Sequence, residues 1–194
     1  MEKSILYINA CVRKDSRTEE LAKHLLLKLD RPYEEVRLQD ITFPTVNEEY
    51  LNMRERLIFQ GELDHPAFRL AQQFSRAETI VIAAPFWDLS FPAALKQYLE
   101  QISVVGITFR YSENGEPIGL CKADKLFYVT TAGGTFVPHQ FGFGYVKALA
   151  EGLYGIKNVQ SFCAAGLDIL GADINAIMHS AKADISAFLK KTCL

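Results

Sequence analysis

The sequence has little net charge and no block of charges of one sign. Its 194 residues include 21 basic and 23 acidic side chains, which leaves a formal charge of −2. Proteins that bind nucleic acids usually carry a basic patch or tail, and no such feature is present. We therefore expect a small-molecule partner and no nucleic acid.

Cysteine pairs and long apolar runs are also missing. The four cysteines are widely separated and form no CxxC pair, and the histidines lack the spacing typical of metal ligands. We therefore expect no metal site and a reducing compartment. No apolar stretch approaches the roughly 18 residues that would span a bilayer, and the first one is too short for a signal peptide. These absences predict a cytoplasmic protein that is not bound to a membrane.

Short apolar runs alternate with segments of helical period. With 49% hydrophobic and 23% charged residues, we expect one domain over residues 1–194. The apolar runs predict five strands, at 5–8, 33–38, 78–84, 125–131 and 158–164. One intervening helix is predicted to start near Ser90, with Pro92 in its first turn, where proline is tolerated. This alternation predicts an α/β fold with a doubly wound parallel sheet.

Two segments exceed what a plain five-stranded domain needs. Residues 47–60 and 64–75 look helical and lie between the second and third strands, where one crossover would be enough. Residues 106–120 contain Asn114-Gly115 between two short extended runs, which predicts a hairpin. We therefore expect inserted helices and a hairpin around the sheet.

The loop after the first strand has the residues of an anion site. Ser16 and Glu19 have capping-box spacing at the start of a helix, and helix capping alone would explain them equally well. However, basic side chains at positions 13, 14 and 17 surround the hydroxyls of Ser16 and Thr18. A helix N-terminus already favours an anion. The spacing is not that of a nucleotide triphosphatase loop, so we predict a phosphate monoester.

Two more loops follow predicted strands at the same edge of the sheet, where open α/β sheets bind ligands. The aromatic residues Phe86 and Trp87 end the third strand, although core packing would also explain one such residue. Gly133 and Gly134 follow the fourth strand and allow backbone to approach a ligand, although a simple tight turn is an equal alternative. The three loops together predict a flat aromatic ligand with a phosphate tail.

At these loops the chain resembles the FMN-dependent NAD(P)H:quinone oxidoreductases and azoreductases of flavodoxin-like fold. The matching motifs are SRT at 16–18, PFWDL at 85–89, GITFRYSENG at 106–115 and TAGG at 131–134. The resemblance implies strand order 2-1-3-4-5, an FMN cofactor, NADH or NADPH as electron donor, a small-molecule acceptor and a homodimer with its site at the subunit interface. The cofactor-binding residues it implies are Ser16, Arg17, Thr18, Pro85, Phe86, Trp87, Asp88, Leu89, Thr131, Ala132, Gly133 and Gly134.

The chain departs from the family pattern at two of these positions. Asp88 replaces an asparagine that would lie near the pyrimidine side of the flavin, and Ala132 replaces an arginine. An ionised aspartate accepts hydrogen bonds but cannot donate them, and its charge would oppose negative charge on the ring. A lowered reduction potential is therefore our hypothesis.

No catalytic side chain is predicted, because the cofactor would carry the chemistry. Phe109, Tyr111 and His139 are candidate substrate-binding residues. His139 could donate a proton to the acceptor, although an exposed loop histidine without a role is the simpler interpretation.

Two other functions remain open from the sequence. A flavodoxin-like electron carrier would bind FMN and pass single electrons between proteins, but carriers commonly have a strongly charged docking face. A non-catalytic flavin-binding protein would keep the pocket without turnover. The weak net charge favours the oxidoreductase over the carrier.

Overall fold

The computed structural model describes residues 5–192, which are built around a five-stranded parallel sheet. The seven strands described are β1 (Ile5–Asn9), β2 (Tyr33–Arg37), β3 (Thr79–Ala83), β4 (Phe109–Tyr111), β5 (Pro117–Gly119), β6 (Lys125–Thr131) and β7 (Asn158–Ala164). The sheet order is β2-β1-β3-β6-β7. Counting the main strands alone, this is 2-1-3-4-5, so the predicted fold class and strand order are confirmed.

Helices cover both faces of the sheet. They are α1 (Arg17–Leu29), α2 (Glu48–Phe59), α3 (Arg69–Arg76), α4 (Ala93–Ile102), α5 (Phe143–Leu149) and α6 (Ile174–Thr192). Along β1, Ile5 and Tyr7 pack against α1 and α6, whereas Leu6 and Ile8 pack against α2, α3 and α4. Successive side chains of a strand point to opposite faces. The unbroken apolar runs therefore reflect a sheet that is buried on both sides.

Two predicted helix boundaries are wrong. The helix expected near Ser90 begins at Ala93, because Trp87 and Ser90 exchange two backbone hydrogen bonds, of 3.0 and 2.8 Å, that close a turn first. Pro92 has extended backbone (ψ 143°) and precedes the helix instead of lying within it. The segment 64–75 divides into a 3₁₀ turn at Pro66–Phe68 and α3. The other inserted helix, α2, lies as predicted and is capped by Asn47.

The predicted hairpin is formed by β4 and β5, which pair antiparallel. Its second strand lies directly on the backbone after α5. A Cβ atom at position 119 would lie 2.2 Å from the amide nitrogen of Gly155, so only glycine allows this approach. The chain then passes beside Ser75 and Glu78, at the amino end of β3. The hairpin is thus anchored near the amino-terminal edge of the sheet.

Within residues 5–192, no helix combines the length and apolarity needed to cross a membrane. The same residues contain no cluster of three or more side chains able to hold a metal ion.

Candidate functional site

A cleft of about 340 Å³ lies at the carboxyl ends of β1, β3 and β6. This is the edge where ligands bind in sheets of this order. Most of the predicted cofactor residues line it: Ser16, Arg17, Thr18, Pro85, Phe86, Trp87, Thr131, Ala132 and Gly133. Asp88 and Leu89 lie in the same turn as Trp87 and line a neighbouring hollow with Phe141 and Tyr145. The fold therefore brings together loops that are more than 100 residues apart.

A larger cavity, of about 640 Å³, lies at the opposite edge of the sheet. Residues before β3, β6 and β7 line it, including Glu78, Asp124 and Lys157. It mixes charges of both signs and contains none of the predicted site residues. We therefore take the smaller cleft as the candidate functional site.

The first loop ends in an open helix N-terminus. Ser16 is the N-cap of α1, and its Oγ accepts a 3.3 Å hydrogen bond from the N–H of Glu19. The side chain of Glu19 does not complete the capping box, since it binds Lys23 and Arg37 instead. Within residues 5–192, the N–H groups of Arg17 and Thr18 have no acceptor. These two donors therefore remain available to an anion.

Arg17 connects the first loop to a fourth loop that the sequence analysis overlooked. Its Nη1 lies 2.9 Å from Asp168 Oδ1 and 3.2 Å from the carbonyl oxygen of Leu167, after β7. The signal was available, because the carboxyl end of β7 meets the same edge of the sheet as the other parallel strands.

Gly133 lies in close contact with Asp168 in the loop after β7. A Cβ atom at position 133 would lie 2.3 Å from Asp168 Oδ2. The N–H of Asp168 also donates a 3.0 Å hydrogen bond to the carbonyl oxygen of Gly133. At Gly134 no atom lies within 4 Å of the corresponding position. Of the two glycines, only Gly133 thus has such a close neighbour.

Hydroxyl and backbone hydrogen bonds hold the first three loops together. The Oγ1 atoms of Thr18 and Thr131 lie 2.6 Å apart, and Thr18 is 1% exposed. The carbonyl oxygen of Thr131 accepts a 3.0 Å hydrogen bond from the N–H of Phe86. These contacts fix the positions of the three loops relative to one another.

The turn after β3 presents Trp87 at the surface. Asp88 and Leu89 both have left-handed backbone, with φ of 49° and 66°, as in a type I′ turn. Trp87 is 38% exposed, so it is not a core residue. The Oγ of Ser90 donates a 2.6 Å hydrogen bond to the carbonyl oxygen of Phe141, which ties this turn to the loop before α5.

The left-handed backbone of Leu89 stores strain, and we expect Leu89→Gly to be neutral or stabilising. Left-handed backbone costs a residue with a Cβ about 1–2 kcal/mol. Relief of this cost in the glycine variant offsets the additional entropy that glycine loses on folding. Leu27 is an exposed leucine inside α1, so Leu27→Gly should lower the free energy of unfolding by about 1 kcal/mol. Urea unfolding of both variants checks this prediction. An equal loss in both variants would show that Leu89 is unstrained.

The structure does not bring Phe109 and Tyr111 to the cleft of their own chain. Phe109 is buried at 6% exposure and meets the 55% exposed Tyr111 edge to face, with ring centroids 5.5 Å apart. Neither residue lines the cleft or the neighbouring hollow. Their contact with substrate stays a prediction.

His139 is exposed and lies just before α5. Its ring meets Phe143 edge to face at 5.9 Å, and its carbonyl oxygen accepts a hydrogen bond from Gly144. The next residues, Gln140 and Phe141, line the hollow beside Asp88. Proton donation by His139 therefore remains a prediction.

Cys11 lies behind the first loop but is shielded. It is 1% exposed, and burial raises the pKa of its thiol to about 11. The reactive thiolate is therefore scarce at neutral pH, as expected of a buried structural cysteine.

Comparison with known proteins gives the family. A family model described as "Flavodoxin-like fold" matches residues 3–189. The FMN-dependent NADH:quinone oxidoreductase of Coprothermobacter proteolyticus is 30% identical over 199 residues, covering 96% of this chain and 98% of that protein. That of Lachnoclostridium phytofermentans is 32% identical over 187 residues, covering 92% and 93%.

Other relatives match over a shorter stretch. The FMN-dependent NADH:quinone oxidoreductase 2 of Clostridium acetobutylicum is 40% identical over 127 residues, and this chain spans 62% of its length. This chain spans 60% of the length of the FMN-dependent NADH:quinone oxidoreductase of Clostridium beijerinckii.

Solved structures agree on the fold. An azoreductase from Bacillus anthracis superposes with a TM-score of 0.84 at 19% identity, covering 97% of this chain and 99% of that one. An FMN-dependent NADH-azoreductase from the same species, in complex with FMN, gives 0.80 at 23% identity, with coverage of 98% and 99%. On its sequence match and its architecture, the chain belongs to the flavodoxin-like family that includes the FMN-dependent NADH:quinone oxidoreductases.

Proposed function

We propose that this protein is an FMN-dependent oxidoreductase that passes two electrons from NADH or NADPH to a quinone, an azo compound or a related electrophile. The observation that carries the proposal is the cleft itself. There the open N-terminus of α1 and the side chain of Arg17 lie together with the exposed indole of Trp87 and with Gly133. The names of the full-length relatives support the same activity.

The donor set fits the phosphate of FMN. The free N–H groups of Arg17 and Thr18, the Arg17 guanidinium and the Ser16 hydroxyl all lie at the start of α1. A phosphate monoester accepts several such hydrogen bonds and is favoured by the helix dipole. These residues would hold the phosphate.

The remaining loops fit a flat ring. Phe86, Trp87, Ala132 and Gly133 all line the cleft. The small side chains at 132 and 133 leave room for backbone contact with the isoalloxazine. We assign these residues, with Pro85, Asp88, Leu89, Thr131 and Gly134, to the ring end of the site.

Bound FMN supplies the redox chemistry, which protein side chains cannot provide. The chain binds and orients the cofactor, and it limits the access of water. We propose that donor and acceptor occupy the same place beside the ring in turn, which gives ping-pong kinetics. Intersecting initial-rate lines would exclude that order.

A homodimer forms part of this proposal. Large apolar side chains are exposed around the cleft, among them Leu89, Phe136 and Phe141. Exposed apolar groups that cluster are typical of interaction surfaces. In a dimer, the hairpin with Phe109 and Tyr111 would reach the cleft of the partner subunit. Light scattering at several concentrations measures the assembly.

A cytoplasmic location also belongs to the proposal. The three described cysteines, Cys11, Cys121 and Cys163, are all free thiols. Free thiols persist in reducing compartments, which supports this location. Cys193 lies outside the described residues.

Anaerobic stopped-flow spectroscopy tests the activity. The FMN-loaded protein is mixed with NADH or NADPH and then with a quinone. Rapid bleaching of the flavin band, followed by recovery on quinone addition, would support the proposal and identify the preferred donor. Bound FMN that neither nucleotide bleaches would favour an electron carrier or a non-catalytic flavin-binding protein. Failure to bind FMN would overturn the site assignment.

We expect Asp88→Asn to raise the midpoint potential of bound FMN. The carboxylate of Asp88 is exposed at the turn beside Trp87, so its effect on the ring is screened by solvent. Removing one screened negative charge is expected to shift a two-electron couple upward on the order of 20 mV. Dye-equilibrated redox titration measures the shift. Asp184→Asn, at an exposed position of α6, is the matched control. An equal shift of the midpoint potential in both variants would contradict a local effect of Asp88.

A further inference from the structure

A polar network with two buried members, Asn9 and Glu19, lies behind the cleft without lining it. Asn9, the last residue of β1, is fully buried. Its Nδ2 donates a 2.8 Å hydrogen bond to Glu35 Oε1 on β2, and its Oδ1 accepts a 2.9 Å hydrogen bond from the N–H of Cys11. The side chain of Asn9 thereby fixes the backbone where the first loop leaves the sheet.

The network continues from Glu35 to the other end of that loop. Arg37 Nη1 lies 3.4 Å from Glu35 Oε1 and 3.4 Å from Glu19 Oε1. Glu19 belongs to the first turn of α1, and Lys23 Nζ lies 2.7 Å from its Oε1. Burial favours the neutral acid, but the hydrogen bond from Lys23 and the charge of Arg37 outweigh it and lower the pKa of Glu19. The carboxylate is therefore ionised at neutral pH.

Packing alone does not explain these side chains. A buried amide or carboxylate loses its hydration and is tolerated only when its hydrogen bonds are replaced. Here the contacts that link Asn9, Glu35, Arg37 and Glu19 join three elements, namely the end of β1, strand β2 and the first turn of α1. Strand register brings Asn9 opposite Arg37 across β1 and β2. The network thus spans the two ends of the loop at residues 10–16.

We propose that Asn9, Glu35, Arg37 and Glu19 are positioning residues for the phosphate-holding loop. Asn9 sets the start of the loop through Cys11 N–H, and Glu19 sets the helix turn whose free N–H groups face the anion. Glu35 and Arg37 fix the distance between them. This inference rests on the proposed function, because the loop is taken to hold the FMN phosphate.

The test compares FMN with riboflavin, which has the same ring and lacks the phosphate. Asn9→Asp places two carboxylates face to face and removes the hydrogen bond to Glu35. We expect it to weaken FMN binding about tenfold, as loss of a charge-assisted hydrogen bond does, with riboflavin affinity unchanged. The ³¹P resonance of bound FMN should shift as well.

A reciprocal exchange provides the rescue. In Asn9→Asp with Glu35→Gln, the new carboxylate can accept from both Cys11 N–H and the new amide, and the total charge is unchanged. We expect FMN affinity to return to near that of the unaltered protein. Asn47→Asp makes the same chemical change at the remote cap of α2 and should affect neither ligand. If Asn9→Asp does not fold, Arg37→Gln breaks the connection between Glu35 and Glu19 in the same network and should also weaken FMN binding selectively.

The outcomes separate the two claims. Selective loss of FMN affinity with rescue supports the positioning role. If the unaltered protein binds FMN, two results overturn the positioning role and leave the proposed function intact. One is an equal loss of affinity for FMN and riboflavin on substitution, and the other is no loss of affinity. If the unaltered protein binds no FMN, the proposed function and this inference both fail.

Discussion

Arg17→Ala should weaken FMN binding by about 10- to 40-fold while leaving riboflavin binding nearly unchanged. Hydrogen bonds to charged groups contribute about 1.5–3 kcal/mol, and Arg17 is the basic side chain at the first position of α1. Because its side chain is 37% exposed, we expect the lower half of that range. Quenching of flavin fluorescence on binding measures both affinities.

The present partners of Arg17 do not prevent this role. Its ion pair with Asp168 is partly exposed, with the Asp168 side chain 71% exposed, and such pairs contribute little to stability. The guanidinium can therefore turn toward a phosphate at small cost. Lys28→Ala removes the same charge from the far end of α1 and should leave both affinities unchanged. A parallel loss of FMN and riboflavin in Arg17→Ala would show that the residue does not bind phosphate.

Gly119→Ala should lower the free energy of unfolding by about 3 kcal/mol, the upper range for overpacking. The new Cβ would lie 2.2 Å from the backbone of both Tyr154 and Gly155. Backbone cannot rotate away as a side chain can, so the hairpin must separate from the segment after α5. Urea or thermal unfolding measures the loss.

Gly152→Ala is the matched control for this prediction. Position 152 lies in the π-helical turn after α5, and nothing is within 4 Å of the added Cβ. Because alanine is a better helix former than glycine by about 1 kcal/mol, this change should be neutral or stabilising. If Gly119→Ala proves as mild as Gly152→Ala, the close approach at the hairpin is not rigid.

The sheet could be predicted because its signals are local. Unbroken apolar runs such as Thr79–Ala83 mark strands with both faces buried, and the Asn114-Gly115 pair marks a hairpin turn. The start of α4 could not be placed in this way. A turn at Trp87–Ser90 competes with the helix, and its Leu89 has a left-handed backbone that leucine does not favour.

Much of the candidate site was also predictable. Once the order of the strands is known, their carboxyl ends must converge, so the loops at 16–18, 85–89 and 131–134 are brought together by topology. Only the structure shows which of those residues face the cleft. Gly133 lines the cleft and Gly134 does not, and Phe109 and Tyr111 lie away from the cleft of their own chain.

By itself the sequence determined the fold class and the loops of the candidate site, because apolar periodicity and turn residues act over a few positions, whereas the strand order was implied by the family resemblance. Only the tertiary structure decided that Asp168 binds Arg17, 151 residues away, and that Asn9 binds Glu35, 26 residues away. Such contacts depend on which strands are neighbours and on their register. No local pattern encodes them, since a buried asparagine and an exposed one look the same in the sequence.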